Sequence, residues 1–306
     1  MTKKRRKRRP AATDDSAASG DRQTIPVAKG FGAPSVFPPL GPTLARGFAA
    51  VTIPPVLLAL PLLIVLGVWL ALLALGVELF RPQMAYALGI PPLGSAFDLS
   101  ATRDIFGLST IGILGILGFT LVRAIVWAVL VGMVDEALEY RSVSMVGVLR
   151  GLRAFWAVLF YDYVSVGILL FGNVILPSLL GPTSLLFVQA VLVGGLFFFT
   201  FAPIAAVRLG LSARESISRS VRAARLPGWP RHLLMAVLYF FLFWYAAGLI
   251  VPNPGDLIAT PSLAMWVYVL VATYVHMGFL GGFAYRWRQV EDLVPEQAAR
   301  RRPRRA

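Results

Sequence analysis

Long uncharged runs, not short alternations, dominate the hydrophobic pattern of this chain. About 20 consecutive apolar residues let a helix cross a ~30 Å hydrocarbon layer. Residues 47–77 carry no formal charge, with the most apolar part at 55–77. Residues 106–134 are apolar except for Arg123. The 45 residues 163–207 are uncharged and are interrupted by Pro177 and Gly181-Pro182. That length is twice a span, so it predicts a hairpin. The pattern predicts six helices, at about 55–77, 106–134, 155–177, 183–207, 233–252 and 261–285. Glycine and proline inside these runs do not veto a helix in lipid, where neighbouring helices re-satisfy the freed backbone groups.

Composition agrees. The chain is 57% hydrophobic and 14% charged, with a mean hydropathy of +0.72, whereas a soluble domain carries roughly 25% charged residues. A water-soluble globule and a wholly disordered chain are both excluded as readings. An all-α integral membrane protein is expected. The formal net charge of +14 would in a soluble protein suggest nucleic acid; here the Lys and Arg residues sort by loop. Ten precede the first span, three lie between spans two and three, six between four and five, and seven follow the sixth. The opposite side has Arg81 and Arg103, and Arg123 falls inside a span. Because this bias sets orientation, both termini are expected in the cytoplasm of a cell (plasma or inner) membrane. The first span, behind a basic segment, reads as an uncleaved signal-anchor. Residues 1–40 and 290–306 are expected to be disordered basic tails around a membrane domain at 41–289.

The inner loops share a local pattern. Arg150-Gly-Leu-Arg153-Ala precedes the third span, Arg219-Ser-Val-Arg222-Ala the fifth, and a fainter echo, Leu44-Ala-Arg46-Gly-Phe48, the first. At 100° per residue Ala213, Ile217, Val221 and Ala224 share a face, with Arg214, Arg222 and Arg225 on the flank and back. Val148, Leu152 and Phe155 likewise oppose Arg150 and Arg153. Short amphipathic helices of this kind lie in the membrane interface. Arg150, Arg153, Arg214, Arg219, Arg222 and Arg225 are then expected to face lipid headgroups. The expected fold is three units, each an interfacial helix on the cytoplasmic side followed by a transmembrane hairpin. In these connectors and its six-helix plan the chain resembles a group of bacterial membrane proteins of unknown function. That group includes the membrane module attached to some glycerophosphodiester phosphodiesterases. The phosphodiesterase catalytic barrel has no counterpart here, so the resemblance implies a membrane module and no activity.

Polar residues inside the spans are the candidate functional residues: Arg123, Asp162, Asn173, Gln189 and His276. Arg123 lies roughly 18 Å along a helix from Asp135, and a central arginine costs about 2.5–3.5 kcal/mol unless it faces the bundle and finds a partner. Asp162 is the acid within reach, which predicts an ion pair between the second and third spans. Asn173 and Gln189 read as interhelical hydrogen bonds, and His276 as a buried histidine bonded to a neighbour. Gly112, Gly115, Gly118, Gly194, Gly195, Gly278, Gly281 and Gly282 favour close helix packing. Trp156, Trp229, Trp266, Tyr285 and Trp287 read as interfacial anchors.

Catalytic patterns are incomplete. Tyr161-Asp162 has no second intramembrane aspartate, Ser109 and His276 lack the rest of a rhomboid site, and two histidines without cysteine or HExxH make no zinc centre. Asp135-Glu136 with Arg141, expected in a loop, is one residue off the spacing of membrane CAAX-type proteases. No catalytic, cofactor-binding or metal residue is expected. The partners expected are a bilayer with anionic headgroups, to which each nearby Lys or Arg contributes ~1 kcal/mol, and a membrane protein; nucleic acid is not. The expected function is a non-enzymatic scaffold or accessory subunit organising lipid or a membrane complex. The alternative is a small transporter or channel with a polar route near Arg123, Asp162 and His276.

Overall fold

Three short helices, each containing or ending in arginine, are each followed at once by a longer and more apolar one. In the computed structural model the described residues are 35–74, 110–170, 179, 181, 184–250 and 263–294. They belong to one of the chain's two compact units, Pro34–Ala306; the other, Met1–Ala33, lies outside the described residues. Their regular structure is all helical. The helices are α1 (Leu40–Thr52), α2 (Val56–Ala74), α3 (Thr110–Tyr140), α4 (Met145–Arg153) and α5 (Phe155–Leu170). They continue with α6 (Ser184–Phe199), α7 (Phe201–Leu209), α8 (Ala213–Ala224), α9 (Trp229–Ile250), α10 (Leu263–Val290) and a 3-10 turn at Glu291–Leu293. Among these residues no single helix is long and apolar enough to cross a membrane. Leu40–Thr52 and Val56–Ala71 meet that measure only together, bent by 74°.

The joints follow from local chemistry. Pro54 and Pro55 cannot donate to a preceding turn and separate α1 from α2. Ser144 and Ser212 have extended backbones, and their side chains accept from Val146 N–H and Glu215 N–H, capping α4 and α8. Gly210, at φ 65°, ends α7 in the left-handed conformation that costs glycine least. The uncharged run expected as one helix at 183–207 breaks at Thr200 into α6 and α7.

Small residues set how the short helices dock. Gly147 and Gly151 of α4 lie on the backbone of α3: a Cβ on Gly151 would sit 2.1 Å from the carbonyl oxygen of Ala128, and one on Gly132 would sit 2.2 Å from that of Gly147. Gly47 of α1 meets α10 in the same way, with Gly278 O at 2.3 Å and Gly282 N at 2.4 Å from its would-be Cβ. On α8 the buried residues are Ser216, Arg219, Ser220, Ala223 and Ala224, all small but the arginine. There the Ser220 hydroxyl donates to Phe198 O of α6 at 2.7 Å. So α4 docks on α3 and α8 on α6 and α7, the helices before them, while α1 docks on α10 at the far end of the described chain. Between them α7 is buried from Phe201 to Val207, as expected of a helix apolar all round.

Several boundaries and faces differ from expectation. Residues 35–40 and 290–294, assigned above to the tails, belong to the fold: Phe37, Val290 and Val294 are buried. Helix α3 runs on to Tyr140, which puts Asp135 and Glu136 on a helix and not in a loop. In α8 the face expected to lie toward lipid turns partly inward: Ala224 is buried and Ala213, Ile217 and Val221 are half-buried, beside the serine and alanine positions whose small side chains permit close approach to α6 and α7.

This packing has a direct test. Gly151→Ala is expected to lower stability by about 1–3 kcal/mol, the range for overpacking. Gly118→Ala, with nothing within 4 Å of its would-be Cβ, is expected to be neutral or to stabilise by up to about 1 kcal/mol. Thermal unfolding of the two purified variants beside the parent chain measures both.

Candidate functional site

The Arg123 guanidinium on α3 grips the Asp162 carboxylate on α5 at two points, Nε to Oδ2 at 3.1 Å and Nη2 to Oδ1 at 2.8 Å. Both side chains are nearly inaccessible, 6% and 3% exposed. The expected pair is therefore present, in the fork geometry that makes arginine–carboxylate bonds strong and directional. Neighbouring contacts hold the same two helices in register. One turn on, the Trp127 ring meets Tyr161 edge-on with centroids 5.3 Å apart, and two turns back Tyr163 O–H donates to Leu117 O at 3.2 Å.

A second network was not anticipated from the sequence. Asp135, fully buried on α3, accepts from Arg150 of α4 at 2.8 Å, Arg288 of α10 at 2.9 Å and Arg208 of α7 at 3.3 Å. Arg288 also donates to the Asp135 carbonyl at 2.6 Å and to Glu139 at 3.0 Å. Arg208 forks onto Glu291, with Nε to Oε2 at 2.7 Å and Nη2 to Oε1 at 2.8 Å. Three guanidiniums thus meet three carboxylates where the C-terminal ends of α3, α7 and α10 converge. The hydrogen bonds to Glu291 hold the Arg208 guanidinium above its ordinary pKa, against the opposing effect of burial.

Glu136, beside this hub, supplies the anion at the N-terminus of α4. Its Oε2 accepts from Ser144 N–H at 3.0 Å and Gly147 N–H at 2.9 Å, and its Oε1 from the Ser144 hydroxyl at 2.5 Å. Exposed helix N–H groups and the helix dipole both favour a negative charge there. Burial is the largest single influence on Glu136 and pushes its pKa up. The bonds from Ser144 and Gly147, with the nearby Arg150 charge, outweigh it and hold the carboxyl below its ordinary value. Glu139 is also held low, first by Tyr140 and then by Arg288 and Arg208.

The remaining sequence candidates separate. His276 on α10 is buried with Nδ1 2.9 Å from Tyr239 O–H of α9. Gln189 lies on α6, with its side chain outside the description, and Asn173 lies outside the described residues. Of the six arginines expected at headgroups, Arg153, Arg214 and Arg225 are exposed, Arg225 lying 5.7 Å over the Phe198 ring. The other three correct that expectation. Arg150 is committed to Asp135, Arg219 is 5% exposed and 3.3 Å from Glu215, and Arg222 is half-buried, its Nε 3.3 Å from Ser218 O. Arg286, expected only as a topology marker, is fully buried. It donates to Arg231 O at 2.7 Å, Pro38 O at 3.3 Å and Thr43 Oγ1 at 3.3 Å, tying the segment before α1 to α9 and α10.

The one sequence signal for the hub was density: Asp135, Glu136 and Glu139 are three of only 15 acidic residues, packed into five positions after an apolar run. Chemically the network is an interlock, since each of its carboxylates is matched by arginine or by helix N–H groups. Among the described residues no group of three or more His, Asp or Glu is placed to hold a metal ion. No protein-family model, curated protein or solved structure matches the chain.

Two outcomes are expected. Arg123→Leu leaves the Asp162 carboxylate buried without its counter-charge and lowers stability by about 3–5 kcal/mol, with substantial recovery in Arg123→Leu/Asp162→Leu; unfolding of the two variants side by side reads this. Glu136 and Glu139 ionise more readily in the folded chain than unfolded. Their contribution is therefore complete above the ordinary glutamate value of 4.5 and fades as pH falls through the lowered folded values. A pH series of unfolding midpoints should fall on the acid side for the parent chain and be flatter there for Glu136→Gln.

Proposed function

We propose that this is a multi-pass α-helical protein of the cell membrane, with both termini cytoplasmic, acting as a non-enzymatic scaffold or accessory subunit that organises lipid or a membrane complex. The observation that carries the reading is the combination of two surfaces. The long helices turn apolar stripes outward at helical spacing. Examples are Leu63, Leu66 and Leu70 on α2, Leu117, Leu121 and Ile125 on α3, and Leu263, Val267 and Leu270 on α10, between 37% and 80% exposed. Stripes of this extent are rare on soluble monomers and suit hydrocarbon.

Charge, in contrast, gathers at one end. The hub joins the C-terminal ends of α3, α7 and α10, so these three helices arrive at the same side. That direction is required if they are the returning limbs of three hairpins, and it agrees with the Lys/Arg sorting. The buried polar groups favour the scaffold over the rival transporter or channel. Arg123 and Asp162 are bound to each other and His276 to Tyr239, which uses them as ties between helices.

The natural absence of cysteine makes single-cysteine labelling decisive. With a membrane-impermeant maleimide, Arg153→Cys and Arg214→Cys are expected to react in inverted vesicles and not in intact cells. Ala124→Cys and Met277→Cys, beside Arg123 and His276, are expected to react in neither. Labelling at 124 and 277 from either side would replace the scaffold reading with the transporter.

A further inference from the structure

We infer that the outward face of α4 and the first turns of α5 form an in-plane docking surface for the anionic phospholipids of the leaflet on the hub side. This rests on the membrane reading above and goes beyond it by assigning the lipid contact to one connector out of three.

The rotation of α4 is fixed from within. Gly147 and Gly151 lie on the α3 backbone and Glu136 holds the helix N-terminus, so the opposite face has no freedom to turn inward. That face carries Met145, Val146, Leu149 and Leu152, 67%, 59%, 48% and 41% exposed, and runs on to Trp156 at 75%. The other connectors lack such a face. On α1 the outward positions are Gly41, Ala45 and Ala49 beside Arg46, and on α8 Ile217 and Val221 are half-buried while Arg214 is exposed. Of the three helices in equivalent positions only α4 holds large apolar side chains out along its own length; beside the others, exposed large apolar side chains occur at Ile53 after α1 and at Trp229 and Leu234 in the first turns of α9.

The surroundings of the face select its occupant. It is continuous with Phe160 and Val164 on α5, part of the stripes proposed to meet hydrocarbon, so the surface passes from chain region to headgroup region without a break. Trp156, at the bend where α4 meets α5, has the amphipathic ring favoured at that boundary. Arg141 and Arg153 flank the face, both exposed and without a carboxylate partner among the described residues. Arg150, which sequence periodicity would have added to them, is held by Asp135. Apolar side chains flanked by uncompensated guanidiniums match an acidic leaflet.

The test uses the full-length chain in vesicles with single cysteines carrying an environment-sensitive fluorophore, and lipids bearing a nitroxide quencher just below the headgroup or deep in the acyl chains. A probe at Leu149→Cys is expected to be quenched by the shallow nitroxide in vesicles containing phosphatidylglycerol, and less in pure phosphatidylcholine. Arg153→Gln is expected to cut that anionic enhancement about fivefold. Probes at Leu63→Cys and Val267→Cys, quenched by the deep nitroxide, report the membrane reading itself, and if they stay dark to it that reading fails. If they are quenched while position 149 remains aqueous in anionic vesicles, the docking inference is overturned and the membrane reading stands. A probe at 149 that is aqueous in vesicles but shielded in native membranes would assign the face to a protein partner, which also overturns it.

Discussion

A single buried carboxylate joins four helices at one end of this molecule. Asp135 has no exposure and three guanidinium neighbours, from α4, α7 and α10. Ionised, it would be costly to bury alone, and its arginines would repel one another without it. Together they bring four helices to a common point. Because α3, α7 and α10 all reach that point by their C-terminal ends, the hub also fixes their relative direction. Glu136, one residue on, extends the arrangement by anchoring the start of α4. The last turns of α3 thus place both the charged end of the bundle and the connector that leaves it.

The second organising constraint is distance. Arginines can meet Asp135 only if the helix axes approach closely, and glycine, serine and alanine permit that approach: Gly132 with Gly147, Gly47 with Gly278 and Gly282, Ser220 with the α6 backbone. The same geometry recurs three times and closes on itself when α1 meets α10. The three connectors are nonetheless not interchangeable. α1 is buttressed by neutral acceptors around Arg286, α4 by carboxylates, and α8 by hydroxyl bonds. Equivalent positions with different chemistry leave different surfaces facing out, which is how only one of them comes to show a broad apolar face.

What could be read from the residues alone was whatever depends on local sequence. The apolar runs anticipated most of the described long helices, and the Arg123–Asp162 pair was legible because the need of a cation inside an apolar run left a single acid to meet it. The hub was not legible. The partners of Asp135 lie 15, 73 and 153 residues away, and arginines near helix ends look alike whether they face headgroups or a buried carboxylate. The faces of α4 and α8 expected at the membrane interface were legible only in part: Leu152 is exposed, whereas Val148, Phe155, Ile217 and Val221 are half-buried and Ala224 is buried. Periodicity identifies the apolar face but not the stripe that packs at backbone distance, where only the smallest side chains fit, so glycine, serine and alanine took the interior of these short helices.

Arginine accordingly has two uses in this chain that sequence cannot separate and structure can. Arg123, Arg150, Arg208 and Arg288 are spent on carboxylates, and Arg286 on carbonyl and hydroxyl oxygens. Among the described residues Arg46, Arg141, Arg153, Arg214, Arg225 and Arg231 remain exposed, Arg231 while donating to Phe37 O at 2.9 Å, and they are the part of the basic excess available to a surrounding phase. That remainder still clusters around the connectors, so holding these five arginines internally does not erase the positive side of the molecule; it concentrates it beside the helices that lead into the apolar runs. An acidic surface at that level would be held by charges that the fold has left unneutralised, while the interior keeps its own arginines matched.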